Sequence, residues 1–162
     1  MRHDEGGFSL IELLIVVAII LIITAIAVPN FLRSRVAANQ ASAIESLRVI
    51  STGEVTYAIT YGTGYSTQLA YLAPPASGQS ATSTAAGLVD DTLAAGYKSG
   101  YTFVYSPSSY STATNTWNGY TLNANPASYG QTGGVYYYTD QSFVIRANPT
   151  TPASSTDSSV GD

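Results

Sequence analysis

Between Phe8 and Val28 the chain carries twenty-one residues, FSLIELLIVVAIILIITAIAV, whose single charge is the carboxylate of Glu12. At about 1.5 Å of rise per residue, a helix of that length spans roughly 30 Å, the thickness of a bilayer hydrocarbon core. The stretch predicts a membrane helix. An ionisable group in such a run costs on the order of 2 to 3 kcal/mol even on lenient insertion scales, so Glu12 calls for a partner. A cleaved secretory signal is the rival reading, with Ala25-Ile26-Ala27 as the cleavage site and Val28 as the first mature residue. The run is longer than the roughly 7 to 15 apolar residues of such signals, and it contains an acid, so the anchor reading is preferred.

Pro29 stands where the span ends. Proline has no amide hydrogen and its ring collides with the carbonyl four residues back, which bends or loosens a helix passing through it. The segment 30–61 keeps a helical pattern with no further proline, so one long kinked helix is expected, about 80 Å if all of 8–60 is helical. On a 100° wheel Val36, Ala43, Leu47, Ile50, Tyr57 and Tyr61 form one stripe, and Ala37, Ala41, Ile44, Val55, Ala58 and Ile59 an adjacent one. The bulkier stripe is expected to cover a sheet of the same chain, and the small-residue stripe to meet other copies. Burial of both stripes within one chain is the alternative. Gly53 weakens this helix by about 1 kcal/mol relative to alanine.

Gly62 and Gly64, after Tyr61, supply the left-handed turn that ends a helix. Residues 62–96 read as a connecting loop rich in Gly, Ser, Thr and Ala, and interrupted by Pro74-Pro75. Within it, Asp90-Asp91-Thr92-Leu93-Ala94-Ala95-Gly96 predicts a single helical turn capped by aspartate; two adjacent carboxylates without an oxygen-rich ladder are a weak cation signal. Residues 97–148 alternate at period two: Tyr101, Phe103 and Tyr105; Tyr120, Leu122 and Ala124; Val135 and Tyr137; Phe143 and Ile145. Four short strands in an antiparallel meander follow, with a polar loop from Pro107 to Trp117 and a tight connection at Thr139-Asp140-Gln141. Residues 149–162 carry no apolar pattern and are expected to be a flexible Ser/Thr-rich tail. The fold class is α+β.

Composition bounds the chemistry. There is no cysteine, and the one histidine, His3, lies in the short charged stretch before the span. With His3 set aside, no nucleophile and base can be assembled: Gly-x-Ser-x-Gly, Ser-x-x-Lys and the phosphate-binding Gly-x-x-x-x-Gly-Lys are all missing. The chain therefore reads as a non-enzyme without a cofactor or metal. A net charge of -4 with a single lysine, Lys98, gives no basic surface for nucleic acid as a primary ligand. Thirteen tyrosines fall mostly at strand positions, where the ring packs and the hydroxyl stays wet; an outward patch at Tyr136 or Tyr138 is a candidate binding surface.

Gly6-Gly7-Phe8-Ser9-Leu10-Ile11-Glu12, the apolar run behind it, and Ala27-Val28-Pro29-Asn30-Phe31 resemble the N-terminus of type IV prepilins and the related type II secretion pseudopilins. The resemblance covers about the first sixty residues. It implies the type IV pilin fold, a leader at residues 1–7, and a filament-core helix at 8–28 that continues as an amphipathic helix over 29–61. It also implies cleavage after Gly7 by a prepilin peptidase, N-methylation of Phe8, and pairing of Glu12 with the Phe8 amine of another copy during assembly. Pairing of Phe8 with Glu12 inside one chain is the simpler alternative. The implied partners are that peptidase, copies of the chain itself or related pilins, an inner-membrane assembly platform and, before assembly, the lipid bilayer. The implied location is the bacterial inner membrane with a periplasmic C-terminal domain, then an extracellular pilus. Arg2 on one side of the span and Arg33 with Arg35 on the other argue for the opposite orientation by charge alone. Major pseudopilins carry an acidic calcium loop near the C-terminus, and Asp140, Asp157 and Asp162 are too dispersed to resemble it, which favours a pilus over a pseudopilus. A membrane-anchored binding module that never polymerises is the third reading.

Overall fold

The computed structural model describes residues 8–161. Helix α1, Leu10–Tyr61, passes through two compact units that divide between Arg35 and Val36, and each unit is taken by itself.

In the first unit every described side chain through Arg35 is exposed. Leu10, Ile11, Leu14, Ile19, Ile22 and Phe31 are among those lying bare. The few polar groups are turned inward on the helix itself. Thr24 Oγ1 donates to the carbonyls of Ile20 and Leu21 at 2.9 and 3.1 Å, and Ser34 Oγ to Asn30 at 3.0 Å. Helical hydrogen bonds of this kind satisfy the Thr24 and Ser34 hydroxyls without water, as a nonpolar surrounding demands. Pro29 lies inside the helix and deprives one carbonyl, that of Ala25, of its amide partner.

The second unit is a helix on a sheet. The bulkier stripe is the buried one: Ala43, Leu47, Ile50 and Tyr57 are covered, while Ala37, Ala41 and Ile59 stay exposed. The helix closes where a left-handed residue was expected, with Gly62 at φ 67° and its N–H on Ala58 O at 3.0 Å.

Five strands, β1 (Tyr97–Lys98), β2 (Tyr101–Ser111), β3 (Thr116–Pro126), β4 (Tyr136–Asp140) and β5 (Arg146–Asn148), form one antiparallel meander in chain order. The sheet thus has one strand more than the expected four, the short β1; the last strand begins later than expected, since Phe143, at φ 65°, and Ile145 precede β5, and Thr139 and Asp140 of the expected tight connection belong to β4. The expected loop from Pro107 to Trp117 is mostly strand, since β2 and β3 stay paired as far as Ser111 and Thr116. Proline is tolerated because β1 pairs only with Tyr101 and Thr102. Phe103 donates outward, to Gly96 O at 2.8 Å, so Pro107, two periods on, faces its missing donor to the open edge.

Tyr101, Phe103, Tyr120, Leu122, Ala124 and Tyr137 supply the sheet's half of the core. The connection 62–96 supplies Leu69, Leu72, Val89 and Leu93 to the same cluster, through a 3₁₀ turn at Leu69–Leu72 and helix α2, Asp91–Ala94. Gly53 sits under this connection, where an added Cβ would meet Leu88, Leu72 and Val89 at 3.5 to 3.6 Å, ordinary contact distances.

Two local readings are corrected. Tyr138 is buried, paired across β3 with Asn123, whose amide donates to Ala153 O at 2.7 Å; of the expected outward tyrosine pair only Tyr136 is partly open, and it stacks on Tyr129 at 5.8 Å. The stretch after Pro149, expected to be loose, is tied down: Ala147 N donates to Ser158 O at 3.0 Å, Val160 N to Ile145 O at 2.8 Å and Arg146 Nη1 to Asp157 O at 2.7 Å, and Ala153 is buried. Its serines and aspartate satisfy backbone groups where an apolar pattern was sought.

Candidate functional site

The residues singled out in the sequence cluster at the start of α1. Gly7 lies outside the described residues, and Phe8, 85% exposed, is the first residue described. Ser9 sits just before the helix. Its N–H donates to Glu12 Oε2 at 2.9 Å, while its carbonyl accepts from Leu13 N at 3.2 Å. A glutamate at the third helical position reaching back to the residue before the helix is one half of a capping box. The signal for it, Ser-x-x-Glu, stands in the sequence as Ser9-Leu10-Ile11-Glu12, where the acid's charge within an apolar run is the more conspicuous feature. Its effect is to hold the carboxylate back toward the Phe8 end of the chain, at the positive pole of the helix dipole. Glu12 therefore has a hydrogen bond inside its own chain, with one carboxylate oxygen, Oε1, not engaged by it.

Behind that acid lies an unbroken apolar surface. Among the described residues α1 is the one helix long and apolar enough to cross a membrane by length and composition, and none of its most apolar window is buried. A surface of this size, exposed in a single chain, fits membrane anchoring or burial against other helices.

The remaining acids serve local structure. Asp90 caps α2, as expected, accepting from Leu93 N at 2.8 Å and from Thr92 Oγ1, and it pairs with Lys98 Nζ at 2.7 Å. The Lys98 ammonium foremost, then the Thr92 and Leu93 donors, hold its carboxyl well below the ordinary range. Asp140 accepts from Ser142 N at 2.8 Å; burial works against its charge, but the Ser142 donors and Tyr138 outweigh it and its pKa is lowered. Asp157 accepts from Ser154 N at 2.7 Å and from Asn148 Nδ2 at 2.8 Å, and these bonds lower its pKa in the same way. Asp162 lies outside the described residues. Among the described residues no three His, Cys, Asp or Glu side chains converge on a metal-sized space.

One acid escaped the sequence reading. Glu54 is fully buried, its Oε2 accepting from Ser66 N at 2.8 Å and its Oε1 from Ser66 Oγ at 2.6 Å. Tyr105 Oη donates to Ser66 O at 2.8 Å, so helix, connection and sheet meet at one serine. Desolvation raises the Glu54 pKa above its ordinary value, the bonds from Ser66 opposing it. Glu54 lies on the covered stripe of α1, between Ile50 and Tyr57, so the helical period places it on the buried face; what the period does not show is its partner, which comes from the connecting loop.

Residues 2–28 match the prokaryotic N-terminal methylation motif. The chain is also 45% identical, over 51 residues, to the type IV major pilin protein PilA of Myxococcus xanthus (strain DK1622); the match covers 32% of this chain and 23% of that relative, so the chain spans less than a quarter of the relative's length in this likeness. No solved structure matches the chain.

Proposed function

Because residues 2–28 match the prokaryotic N-terminal methylation motif and a 51-residue stretch is similar to a type IV major pilin, we propose that the protein is a structural subunit of a type IV pilus. The observation that carries the proposal is the bare apolar surface of residues 8–35 with an acid placed one turn from its amino end. A prepilin peptidase cuts between Gly7 and Phe8 on the cytoplasmic face and methylates the new amine. The helix then waits in the inner membrane with the domain of residues 36–161 in the periplasm. Assembly exchanges lipid for the helices of other copies, an exchange of one apolar surrounding for another.

Glu12 guides that exchange. Its oxygen outside the Ser9 bond meets the Phe8 ammonium of a subunit already placed, in a medium that screens charge poorly. Pairing at one depth fixes the stagger between copies. Pro29 relaxes the helix just beyond the buried span, letting the two parts of α1 adopt the bend that packing requires.

Mass spectrometry of the native protein's N-terminus tests this directly. A chain beginning with N-methylated Phe8, recovered from sheared surface fibres, is the expected result. A chain beginning with Val28 would show that the apolar helix had been removed and would end the proposal. Processed protein confined to secretion-system envelope complexes, with no surface fibre by electron microscopy, would move it to a pseudopilus.

A further inference from the structure

Where α1 ends, a cleft of about 430 Å³ is walled by five aromatic rings, Tyr57, Tyr65, Tyr71, Tyr110 and Trp117. Its size falls within the roughly 300 to 1,000 Å³ of small-molecule sites. The walls are held in place by backbone. Tyr65 N donates to Trp117 O at 2.8 Å and Trp117 N to Thr63 O at 3.4 Å, laying the first residues after α1 along the start of β3. Gly64, at φ 76°, makes this possible, since a Cβ there would stand 2.2 Å from Trp117 O. Tyr110 packs on Trp117 with ring centroids 4.9 Å apart and donates to Asn115 Oδ1, while Tyr57 Oη donates to Ser83 O at 2.7 Å.

The rim is polar and uncharged. Thr63, Thr67 and Asn115 complete the lining, all three are exposed, and no Lys, Arg, Asp or Glu takes part. An ionised ligand would leave water for a site offering no countercharge, and a purely apolar one would strand the hydroxyl and amide groups at the rim. A pyranose fits both halves. Its C–H face, slightly positive, lies on the negative face of an aromatic ring, and its hydroxyl edge meets threonine hydroxyls and an asparagine amide.

We propose that this cleft is a binding site for neutral carbohydrate, sized for one or two sugar units, with Trp117 and Tyr110 as the stacking platform and Thr67 and Asn115 as hydrogen-bonding partners. The site lies wholly within residues 57–117 and does not depend on how, or whether, copies of the chain assemble.

Trp117 is the single tryptophan of the chain, so its fluorescence reports on the cleft alone. The full chain is held in a zwitterionic detergent without a sugar headgroup and titrated with neutral disaccharides of glucose, galactose, mannose, N-acetylglucosamine and N-acetylgalactosamine. Saturable change with at least one of them, at a Kd of about 1 mM or tighter, is expected. Tyr110→Ala, at an exposed position, is expected to weaken it at least about tenfold, or ~1.4 kcal/mol, with the fold retained by circular dichroism. Thr67→Val is expected to weaken it less. No response to any of the disaccharides overturns the proposal, as does binding unaffected by Tyr110→Ala. A response to oligothymidylate in their place assigns the cleft to single-stranded nucleic acid, and a fluorescence change with protein concentration alone assigns it to a second copy; either result also overturns it.

Discussion

Residues 8–35 and residues 36–161 are opposite solutions to the same hydrophobic effect. The first unit has the more apolar sequence and buries none of its side chains; the second is richer in Ser, Thr, Asn and Tyr and encloses Leu47, Ile50, Tyr101 and Leu122 completely. Apolar content alone therefore does not produce a core. The first unit has no core of its own to stabilise it, and the second is held by its own contacts.

The largest test of that contrast is Glu12→Ala. On the proposed pairing of Glu12 with the Phe8 amine of another copy, removing one member of a buried pair commonly costs about 3 to 5 kcal/mol, so the variant is expected to be inserted and cut but to yield few sheared fibres, with Glu12→Gln intermediate. The melting of the second unit should not change. Normal fibre yield from Glu12→Ala would remove the assembly role.

Leu47→Ala should do the reverse, lowering the unfolding free energy of the full chain in detergent by about 2 to 5 kcal/mol, as large-to-small core changes do. Ile22→Ala, at a position 64% exposed, should move the same transition by no more than about 0.5 kcal/mol. A large loss from Ile22→Ala would mean that the units do not divide the stability in this way.

Glu54 sharpens the picture of the second unit. Glu54→Ala leaves the Ser66 N–H without its acceptor, while Ser66 Oγ keeps Gln68 O at 3.1 Å, and should cost about 1 to 3 kcal/mol by chemical denaturation. Burial raises the native pKa of Glu54 above its unfolded 4.5, so the native state binds a proton more tightly than the unfolded chain. Its contribution is most favourable below the unfolded value and falls as pH rises through the window up to the native value. Tyr120 beside it is pushed up to about 12 by desolvation and does not titrate there. Stability of Glu54→Gln relative to wild type should therefore rise as pH climbs above the unfolded carboxylate value of 4.5; a flat difference would show that the acid is not desolvated.

The smallest effect is a gain. Gly53 has room for a methyl group and lies in mid-helix, so Gly53→Ala should stabilise the second unit by about 0.5 to 1 kcal/mol, read as a higher denaturation midpoint with an unchanged slope. A loss would show that the connection over Gly53 cannot yield.

The periodic parts of this fold were legible in the sequence. The 3.6-residue stripe through Leu47 and Ile50 marked the covered face of α1, Gly62 marked its end, and alternation marked the inner residues of β2 and β3. Contacts between distant segments were not. Glu54 and Ser66 become partners only once the chain has folded back, and Ala153 is buried by the fold of a segment whose own composition is polar. Pro107 misled because its tolerance depends on which edge of the sheet it faces. At the candidate site Glu12 stood out by charge, while its bond to Ser9 was hidden behind the more conspicuous apolar run.

The borders of the sheet carry a final consequence. Along β5 the closing segment lies as a selvage, with Ser159 bridged to Arg146, and along β2 the ring of Pro107 interrupts the row of donors that a visiting backbone would grasp. Domains of this kind can be crowded side by side without zipping into one another. Lateral growth through strands is thereby discouraged, and in the assembly proposed above the joining of copies falls to the bare rod at the other end of the sequence.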